Sequence, residues 1–294
     1  MEVYEIENDK LRVRAKSLGA ELTSFFCKTS NTEHLWQANP QFWNWHAPVL
    51  FPVVGRCWND QLSIHGGKYP MEKHGFGRRS LFHLESQTDD SLTFLLQHSA
   101  RTEPMYPFAF EFRITYQITA NRLITRYTVK NPGYGELYFS LGAHPAFAVP
   151  FHTNESFNDY FVEFSEDQQL QRHLINEAGF FTGETREVLH GNRRLGLSAT
   201  LFEEDALIFK NHRSRRISIG STLHQHRLQV DFDGFPYLGI WTKPGAPYVC
   251  IEPWLGCADN EGILPPVEQK EGIIRLTGNR TWTSSLEFSI VEMR

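Results

Sequence analysis

The run Phe108-Ala109-Phe110-Glu111-Phe112-Arg113-Ile114-Thr115-Tyr116-Gln117-Ile118 alternates large apolar side chains with small or polar ones. Successive side chains of a β-strand point to opposite faces of the sheet, so this run predicts a long strand with one buried face. After a turn at Ala120-Asn121-Arg122, the alternation resumes over residues 123–129, and Asn131-Pro132-Gly133 ends it. The two runs predict a pair of antiparallel strands.

Short alternations of the same kind recur along the chain, separated by turn-forming residues such as Asp89-Asp90 and Asp233-Gly234. They cover residues 11–13, 92–96, 160–164, 216–219, 228–232, 237–241 and 286–290. Helical periodicity is scarce, with short helices expected only near residues 40–45 and 176–179, and nothing alternates with the strands as a parallel βαβ sheet requires. We therefore predict an all-β, mostly antiparallel sandwich with few short helices. Residues 1–294 are expected to form a single domain, because no linker or shift in composition divides them.

The composition argues against several functional classes. The 294 residues carry a net charge of -5, and 40% of them are hydrophobic, which allows a large core but gives no basic stripe for nucleic acid. No apolar run has the length of a membrane span, and the N-terminal residues lack the pattern of a secretory signal. Cys27, Cys57, Cys250 and Cys257 match no zinc pattern and are expected to be free, buried thiols. We expect a cytoplasmic protein that binds neither nucleic acid nor membrane.

Two stretches in the first third of the chain carry candidate ligand-binding side chains. Lys73-His74-Gly75-Phe76-Gly77-Arg78-Arg79 combines an imidazole that titrates near neutral pH with flexible glycines and with guanidinium groups suited to an anion or a polyol. A surface turn with a charged rim would have the same sequence. Val49-Leu50-Phe51-Pro52-Val53-Val54-Gly55-Arg56 is an apolar run that predicts Arg56 at a strand end, where it either binds a ligand or is solvated.

Two later stretches place ionisable side chains in apolar surroundings. In Leu141-Gly142-Ala143-His144-Pro145-Ala146-Phe147, His144 precedes a proline that cannot continue a sheet ladder, so we predict it where a strand stops; a core histidine bonded to backbone groups is the alternative. In Tyr248-Val249-Cys250-Ile251-Glu252-Pro253-Trp254, Glu252 lies in an apolar run, where a carboxylate needs a partner or takes a raised pKa. Glu252 is thus a candidate general base, with a structural ion pair as the alternative.

Other polar residues give weaker signals. Asp205 precedes an apolar strand, where it either binds a hydroxyl group or marks a turn. His224 and His226 are predicted to share a strand face, which suggests a metal pair, but no third ligand is apparent, so we expect surface residues and no metal. The chain has no complete dinucleotide fingerprint, Walker loop or Gly-x-Ser-x-Gly elbow, and no cofactor is expected.

Taken in order, five motifs resemble the aldose 1-epimerase (mutarotase) family, and within it the LacX-like proteins near the hexose-6-phosphate 1-epimerases. The motifs are Gly55-Arg56, His74-Gly75-Phe76-Gly77-Arg78, His144-Pro145-Ala146-Phe147, Asp205-Ala206-Leu207 and Glu252-Pro253-Trp254. The resemblance extends from Arg56 to about Leu276 and implies a galactose-mutarotase-like β-supersandwich, with the sugar in a cleft on one broad sheet. The His65-Gly66-Gly67 loop has the same residue types as a longer loop of the wider family, but the two loops do not align.

The resemblance also implies roles for individual residues. Glu252 matches the family's general base and His144 its general acid, while His74 matches a second histidine that helps hold or polarise the ring oxygen. Arg56 and Asp205 match positions that bind sugar hydroxyls. We therefore expect a sugar as the ligand of this chain.

Arg78 matches the arginine that helps bind phosphate in the phosphosugar branch, although glycine replaces the alanine that usually precedes it there. The expected substrate is accordingly a hexose or a hexose phosphate, bound by a monomer or a homodimer. A non-catalytic sugar-binding β-sandwich and a glycoside hydrolase are the alternatives. The hydrolase would need a second carboxylate, for which Asp205 is the contender.

Anomer interconversion accounts for the residue types in these motifs. A base takes the proton of the C1 hydroxyl, an acid protonates the ring oxygen, and rotation about the C1–C2 bond then exposes the other face of the aldehyde. Glutamate and histidine can exchange protons near neutral pH when their surroundings shift their pKa values. We expect the base and the acid on opposite sides of one sugar ring, and no metal or nucleotide is required.

Overall fold

A computed structural model of the chain describes residues 2–291, and strands make up nearly all of the regular structure in that range. The strands, numbered in chain order, are β1 (Val3–Glu7), β2 (Leu11–Lys16), β3 (Leu22–Cys27), β4 (Thr32–Glu33), β5 (Val49–Leu50), β6 (Gln61–Ile64), β7 (Gly67–Pro70), β8 (His83–Gln87), β9 (Ser91–Gln97), β10 (Glu111–Thr119), β11 (Arg122–Lys130), β12 (Leu137–Phe139), β13 (Gly142–Ala143), β14 (Ala146–Ala148), β15 (Tyr160–Ile175), β16 (Phe181–Gly196), β17 (Leu207–Phe209), β18 (Arg216–Ser221), β19 (Arg227–Asp231), β20 (Tyr237–Trp241), β21 (Tyr248–Trp254), β22 (Ile274–Leu276) and β23 (Thr281–Val291). Short 3₁₀ helices cover Trp58–Asp60, Gly77–Arg79, Phe157–Asp159, Ala199–Phe202 and Val267–Gln269.

One large sheet of 15 strands dominates the described chain. Its order is β5-β13-β21-β20-β17-β15-β18-β19-β23-β11-β10-β9-β8, with β14 beside β21 and β16 beside β15. β1 to β4 form a separate 4-stranded sheet, and the pairs β6–β7 and β12–β22 form two small ones. The pairings between these strands are antiparallel. The prediction of an all-β, mostly antiparallel fold is therefore confirmed.

The strand pair that the alternating runs predict is present. β10 and β11 pair in one continuous register, from Glu111 opposite Lys130 to Thr119 opposite Arg122. The predicted inner face of β10 is buried, with Phe112 fully inaccessible. The strand begins at Glu111, three residues later than the alternation, and the carbonyl of Phe110 just before it accepts a hydrogen bond from the His98 amide at 3.0 Å.

The two helices that the sequence suggested do not form. Near residues 40–45 there is a single turn, in which the amides of Phe42 and Trp43 both donate to the carbonyl of Asn39 at 3.0 Å. Residues 176–179 form the tip of the β15–β16 hairpin, where the Asn176 amide donates to the carbonyl of Phe180 at 2.9 Å. Two paired strands of 16 residues impose this turn, whatever the local preference of its residues.

Alternate residues of the central strands face two different apolar regions. Val249 and Ile251 on β21 belong to the main core, which also includes Phe25 of the 4-stranded sheet. Cys250 and Trp254, which alternate with them, belong to two smaller clusters on the other face. We call this second face, which carries Cys250, Glu252 and Trp254, the site face. All four cysteines are buried, as predicted, and none of them forms a disulfide within the described residues. No helix in the same range is long and apolar enough to cross a membrane.

A buried ion pair connects three segments near the site face. The ammonium group of Lys270 contacts the carboxylate of Asp259, and both side chains are almost inaccessible. Asp259 also accepts a bond from the Trp58 amide at 2.8 Å and, through its carbonyl, one from the Phe181 amide at 3.1 Å. Asp259 therefore connects the chain after Arg56 to the start of β16.

Replacing Asp259 with asparagine is expected to destabilise the protein by about 3 kcal/mol, because it leaves the buried ammonium group of Lys270 without a counter-charge. Urea unfolding measures this loss of stability, and the slope of the unfolding free energy against urea concentration should stay unchanged. Asp233→Asn is the matched control: it removes an exposed partner of Arg215 and should change little. Equal midpoints for both variants would contradict the structural importance of the buried pair.

Candidate active site

The candidate site is a cavity of about 240 Å³ on the site face. Three neighbouring strands supply one wall: Ile208 on β17 pairs with Gly239 on β20, and Gly239 pairs with Glu252 on β21. Side chains at paired positions of antiparallel strands point to the same face. Because Gly239 has no side chain, the indole ring of Trp254 packs closely over it, and a Cβ atom there would lie 2.8 Å from Cζ2 of Trp254.

Glu252 and His144 contact each other in the wall of this cavity. Oε2 of Glu252 lies 3.1 Å from Nε2 of His144. Glu252 lies within β21, while His144 lies between β13 and β14, which both pair with β21. The predicted positions are confirmed: Glu252 is 2% exposed, and His144 lies where β13 stops. The pairing of these strands therefore brings the two residues together.

Burial determines where the protons of this pair lie. It raises the pKa of Glu252 well above its usual value, an effect that Lys73 opposes and Asp205 reinforces. It lowers the pKa of His144 to about 3. The free protein therefore favours a neutral carboxyl beside a neutral imidazole, so that the pair holds one proton between them. Such a pair can accept a proton from one group of a ligand and donate one to another without a change in net charge.

The expectation that the base and the acid lie on opposite sides of a sugar ring is wrong for the free protein. At 3.1 Å, no ring fits between His144 and Glu252, and both lie in the same wall of the cavity. The physical reason is the adjacency of β13 and β21, in which Gly142 is paired with Trp254. Two neighbouring groups remain suited to the reaction, because the C1 hydroxyl oxygen and the ring oxygen are bonded to the same carbon.

His74 lines the cavity as a neutral hydrogen-bond donor. Its ring lies 6.0 Å from that of His144 in an edge-to-face arrangement, and burial lowers its pKa well below the usual value. The Gly55 amide donates to Nδ1 of His74 at 3.1 Å, and the His74 amide donates to the Gly55 carbonyl at 2.8 Å. Since Nδ1 accepts a bond, the neutral ring carries its proton on Nε2.

The loop that carries His74 requires its glycine. Gly75 has φ +69°, and a Cβ atom there would lie 2.3 Å from the carbonyl oxygen of Phe51. His74 itself has φ 69°, a value that non-glycine residues adopt infrequently and at some cost. The inferred role of the glycine in this stretch is thus correct at Gly75. It lets the loop approach Phe51 closely while His74 faces the cavity.

Two cationic side chains, Lys73 and Arg78, line the same cavity. Arg78 lies in the 3₁₀ helix Gly77–Arg79, and its Nη2 donates to the Lys73 carbonyl at 2.7 Å. Its Nε atom is buried and has no hydrogen-bond partner in the described chain, and neither residue forms an ion pair with a described carboxylate. Lys73 belongs to the sequence motif around His74, but the sequence analysis assigned it no role. Its position next to His74 was the available signal.

Asp205 and Arg56 have different positions relative to the cavity. Asp205 lines it from the turn before β17, where it has φ 67° and its Oδ1 accepts a bond from the Ala206 amide at 2.8 Å. Arg56 lies outside the set of lining residues and pairs with Asp60 at 2.7 Å. It does not end a strand, because β5 stops at Leu50. Its Nη1 donates to the Ala178 carbonyl at 3.2 Å, so it supports the hairpin tip.

Several lining residues were missed by the sequence argument. Trp43, for example, stacks on His144 with ring centroids 4.8 Å apart. Ile175, Gly179 and Phe181 line the cavity from the β15–β16 hairpin. Trp43-Asn44-Trp45 is an aromatic-rich loop that could have drawn attention. No local sequence pattern predicts that the β15–β16 hairpin lines the cavity, because the position of the hairpin depends on the pairing of β15 with β17.

The same wall offers a possible set of metal ligands. Ligand atoms of His144, Cys250 and Glu252 lie within 4.8 Å of one another. Burial, however, raises the pKa of the Cys250 thiol well above its usual value, as it does for the Glu252 carboxyl. Both groups would have to lose a proton to bind a cation, so this set suits proton transfer better than metal coordination.

The described chain thus combines a broad antiparallel sheet with a cavity on one of its faces, lined by a contacting histidine–glutamate pair and a second histidine. The chain belongs to the aldose 1-epimerase family, whose model matches residues 2–277. The resemblance seen in the sequence motifs is therefore confirmed.

Relatives and solved structures agree with this membership. Protein LacX of Lactococcus lactis subsp. lactis, in its plasmid form, is 32% identical over an alignment of 298 positions, which covers 98% of this chain and 99% of that protein. A galactose mutarotase related enzyme from Lactobacillus acidophilus superposes with a TM-score of 0.93 at 32% identity, over 99% of this chain and 98% of that one. A galactose mutarotase-like protein from Lactobacillus casei gives 0.92 at 32% identity, over 99% and 100%. The predicted galactose-mutarotase-like fold is thereby confirmed.

Proposed function

We propose that this protein catalyses the interconversion of α and β anomers of a hexose or a hexose phosphate. The observation that carries the proposal is the 3.1 Å contact between Glu252 and His144, two buried groups with opposite pKa shifts, in a sugar-sized cavity. Pairs of titratable groups whose surroundings shift their pKa values apart are typical of acid–base sites. Membership of the aldose 1-epimerase family supports the same reaction.

The proposed mechanism moves protons only between oxygen and nitrogen atoms. The carboxylate form of Glu252, beside protonated His144, takes the proton of the C1 hydroxyl, and His144 donates its proton to the ring oxygen as the C1–O5 bond breaks. The open-chain aldehyde rotates about its C1–C2 bond. The O5 hydroxyl then returns a proton to His144 as it attacks the other face of C1, and Glu252 returns its proton to the carbonyl oxygen. The pair ends with the single proton with which it began.

His74 is proposed to hold the ring oxygen during this cycle. Its Nε2 proton is fixed by the bond that Nδ1 accepts from Gly55, so it can donate a hydrogen bond without taking part in proton transfer. Asp205 is proposed to accept a sugar hydroxyl at the cavity rim. We propose that Arg56 acts by supporting the hairpin tip near Ala178, with any contact to a sugar hydroxyl made from outside the cavity wall.

The charge of the cavity supports a phosphorylated substrate. Lys73 and Arg78 stand beside each other without a carboxylate partner in the described chain, and guanidinium and ammonium groups are the usual ligands of phosphate. Arg78→Ala is expected to raise KM for a hexose 6-phosphate about 10-fold or more, the equivalent of one charge-assisted hydrogen bond. KM for the plain hexose should stay within about twofold.

Polarimetry on freshly dissolved α-glucose, α-galactose and their 6-phosphates measures this difference. Arg79→Ala is the matched control, because Arg79 is exposed, pairs with Glu72 at 3.2 Å and does not line the cavity. An unchanged preference for the phosphosugar in Arg78→Ala would rule out Arg78 as the phosphate ligand.

The glycine beside Glu252 gives a second test of the site. A Cβ atom at Gly239 would lie 2.8 Å from Cζ2 of Trp254 and 3.3 Å from Cβ of Glu252, so Gly239→Ala must displace this wall. Since small misplacements of catalytic groups cost up to about 10²-fold in rate, we expect kcat/KM to fall about 10- to 100-fold. Gly196→Ala is the control, because a Cβ atom at that strand glycine meets nothing within 4 Å. Equal kcat/KM for both variants would contradict the proposed wall.

The alternative of a non-catalytic sugar-binding protein predicts a different result on the same sugars. Calorimetry would then show binding, while polarimetry would show anomer exchange no faster than in buffer. The proton-sharing pair favours catalysis, because a binding site gains nothing from a buried carboxyl and imidazole with opposite pKa shifts. For a glycoside hydrolase, the one further carboxylate among the described lining residues is the exposed Asp205.

A further inference from the structure

A second cluster of ionisable side chains lies apart from the cavity, between the loop after β14 and the turn before β19. His152 and Glu155 come from the loop, and His224 comes from the turn. Nε2 of His224 lies 3.1 Å from Oε1 of Glu155. Ligand atoms of all three residues lie within 4.8 Å of one another. None of them lines the candidate active site.

The carboxylate of this cluster is buried and held in place. The Glu155 side chain is 4% exposed, although it lies in a surface loop. Its second oxygen accepts a hydrogen bond from the Tyr160 hydroxyl, which in turn accepts one from the Phe151 amide at 2.7 Å. A carboxylate that is removed from water and held in one orientation by neighbouring hydrogen bonds is costly unless a cation compensates its charge.

The turn that carries His224 is also fixed. Nη1 of Arg227 donates to the carbonyls of His224 at 2.9 Å and of His226 at 3.0 Å. The amide of Thr222 donates to the carbonyl of Asp159 at 2.9 Å, which joins this turn to the end of the loop segment. Nε2 of His224, the nitrogen that faces Glu155, is therefore presented by a rigid backbone.

The rings around the cluster add aromatic surface. His34 is fully buried, and its ring lies 5.0 Å from that of His226, which is 6.0 Å from His152. Burial lowers the pKa of His34 to about 3, so this ring is neutral at physiological pH and does not repel a bound cation.

We infer that His152, Glu155 and His224 form a binding site for a divalent transition-metal ion, with Zn²⁺ as the best match. Two imidazole nitrogens and one carboxylate oxygen are a donor set that zinc prefers, with a water molecule as a fourth ligand. Ligands bound at about 2 Å from one ion lie within about 4 Å of each other, so the observed spacing needs only a small movement of the exposed His152 ring.

The structure places these histidines differently from the sequence analysis. His224 and His226 suggested a metal pair, but no third ligand was apparent within reach along the chain. The structure supplies His152 and Glu155 from a loop about 70 residues earlier, and His224 and His226 are partly buried residues of the turn before β19 instead of surface residues on a strand. The metal ion would clamp the β14 loop to the β18–β19 turn and stabilise the fold without taking part in the reaction.

Metal titration of the purified chain tests this site. The metal-free protein is titrated with Zn²⁺ by calorimetry and with Co²⁺ by visible absorption, where a four- or five-coordinate site gives distinct bands. We expect one site per chain, a higher melting temperature with metal, and a loss of affinity of at least about 100-fold in His152→Ala and His224→Ala, each of which removes a direct ligand. Anomer exchange by His152→Ala should equal that of the unaltered protein.

His190→Ala is the matched control. His190 also faces a glutamate three residues away, Glu187 at 3.2 Å, but both are exposed, and no second histidine joins them among residues 2–291. It should bind Zn²⁺ as the unaltered protein does. The inference is overturned if His152→Ala and His190→Ala bind the metal equally. It is also overturned if binding is lost in Glu252→Gln and kept in His152→Ala, which would place the ion at the His144–Cys250–Glu252 group.

Discussion

Glu252→Gln is expected to lower kcat for anomer exchange about 10³-fold, within the range that general acid–base catalysis contributes. Glutamine keeps the shape of the side chain but cannot take the proton of the C1 hydroxyl. Because burial raises the pKa of Glu252 and favours the neutral carboxyl in the free protein, the neutral amide replaces it at little cost. It can still donate a hydrogen bond to Nε2 of His144. Folding stability should therefore change by less than about 1 kcal/mol.

Polarimetry on a fresh α-anomer measures the rate, and thermal unfolding measures the stability. Glu261→Gln, which alters an exposed carboxylate in the loop after β21, is the matched control and should leave both unchanged. Calorimetric titration with the sugar should show that Glu252→Gln still binds its substrate. A rate for Glu252→Gln equal to that of the control would remove Glu252 from the reaction.

His144→Asn is expected to lower kcat about 10²- to 10³-fold, because asparagine cannot donate a proton to the leaving ring oxygen. Unlike Glu252→Gln, it also loses an aromatic contact, since the His144 ring stacks on Trp43 at 4.8 Å. Such stacking contributes about 0.5–1.5 kcal/mol, so the variant should be slightly less stable yet folded. Exchange NMR on the anomeric protons measures the residual rate.

The control for His144→Asn is His65→Asn. His65 is exposed at the β6–β7 turn, has φ 48° and does not line the cavity, and asparagine tolerates such a backbone conformation better than most residues. Its activity should equal that of the unaltered protein. If His144→Asn exchanged anomers at the same rate as His65→Asn, the general acid would have to be another residue, with His74 the nearest candidate.

The fold was predictable where the sequence alternates and unpredictable where pairing acts at long range. The period of two in residues 108–118 predicts β10 because only one of its faces is buried. The same rule cannot reveal that β15 and β16 extend over 16 residues each, since much of β16 is exposed and lacks alternation. The short helix expected at residues 176–179 failed for this reason. The expectation of a single domain stays a prediction.

The site was predictable as a set of residue types but not as a geometry. Glu252 in its apolar run and His144 before a proline both stood out locally, and the structure brings them into contact. Their separation depends on β13 being adjacent to β21, which no local pattern shows. For the same reason Arg56, which local sequence placed at a strand end, lies outside the cavity wall. The catalytic and binding roles of these residues remain proposals.

The central claim is that Glu252 and His144 move protons between the oxygens of a bound sugar. Exchange NMR in D₂O tests this claim most directly. Cross-peaks between the α and β anomeric protons should grow with protein concentration and fall to the buffer rate in Glu252→Gln. No deuterium should enter at C1 or C2, because the proposed cycle breaks no C–H bond. Exchange at the buffer rate with each hexose and hexose 6-phosphate tested, or deuterium at either carbon, would contradict the account.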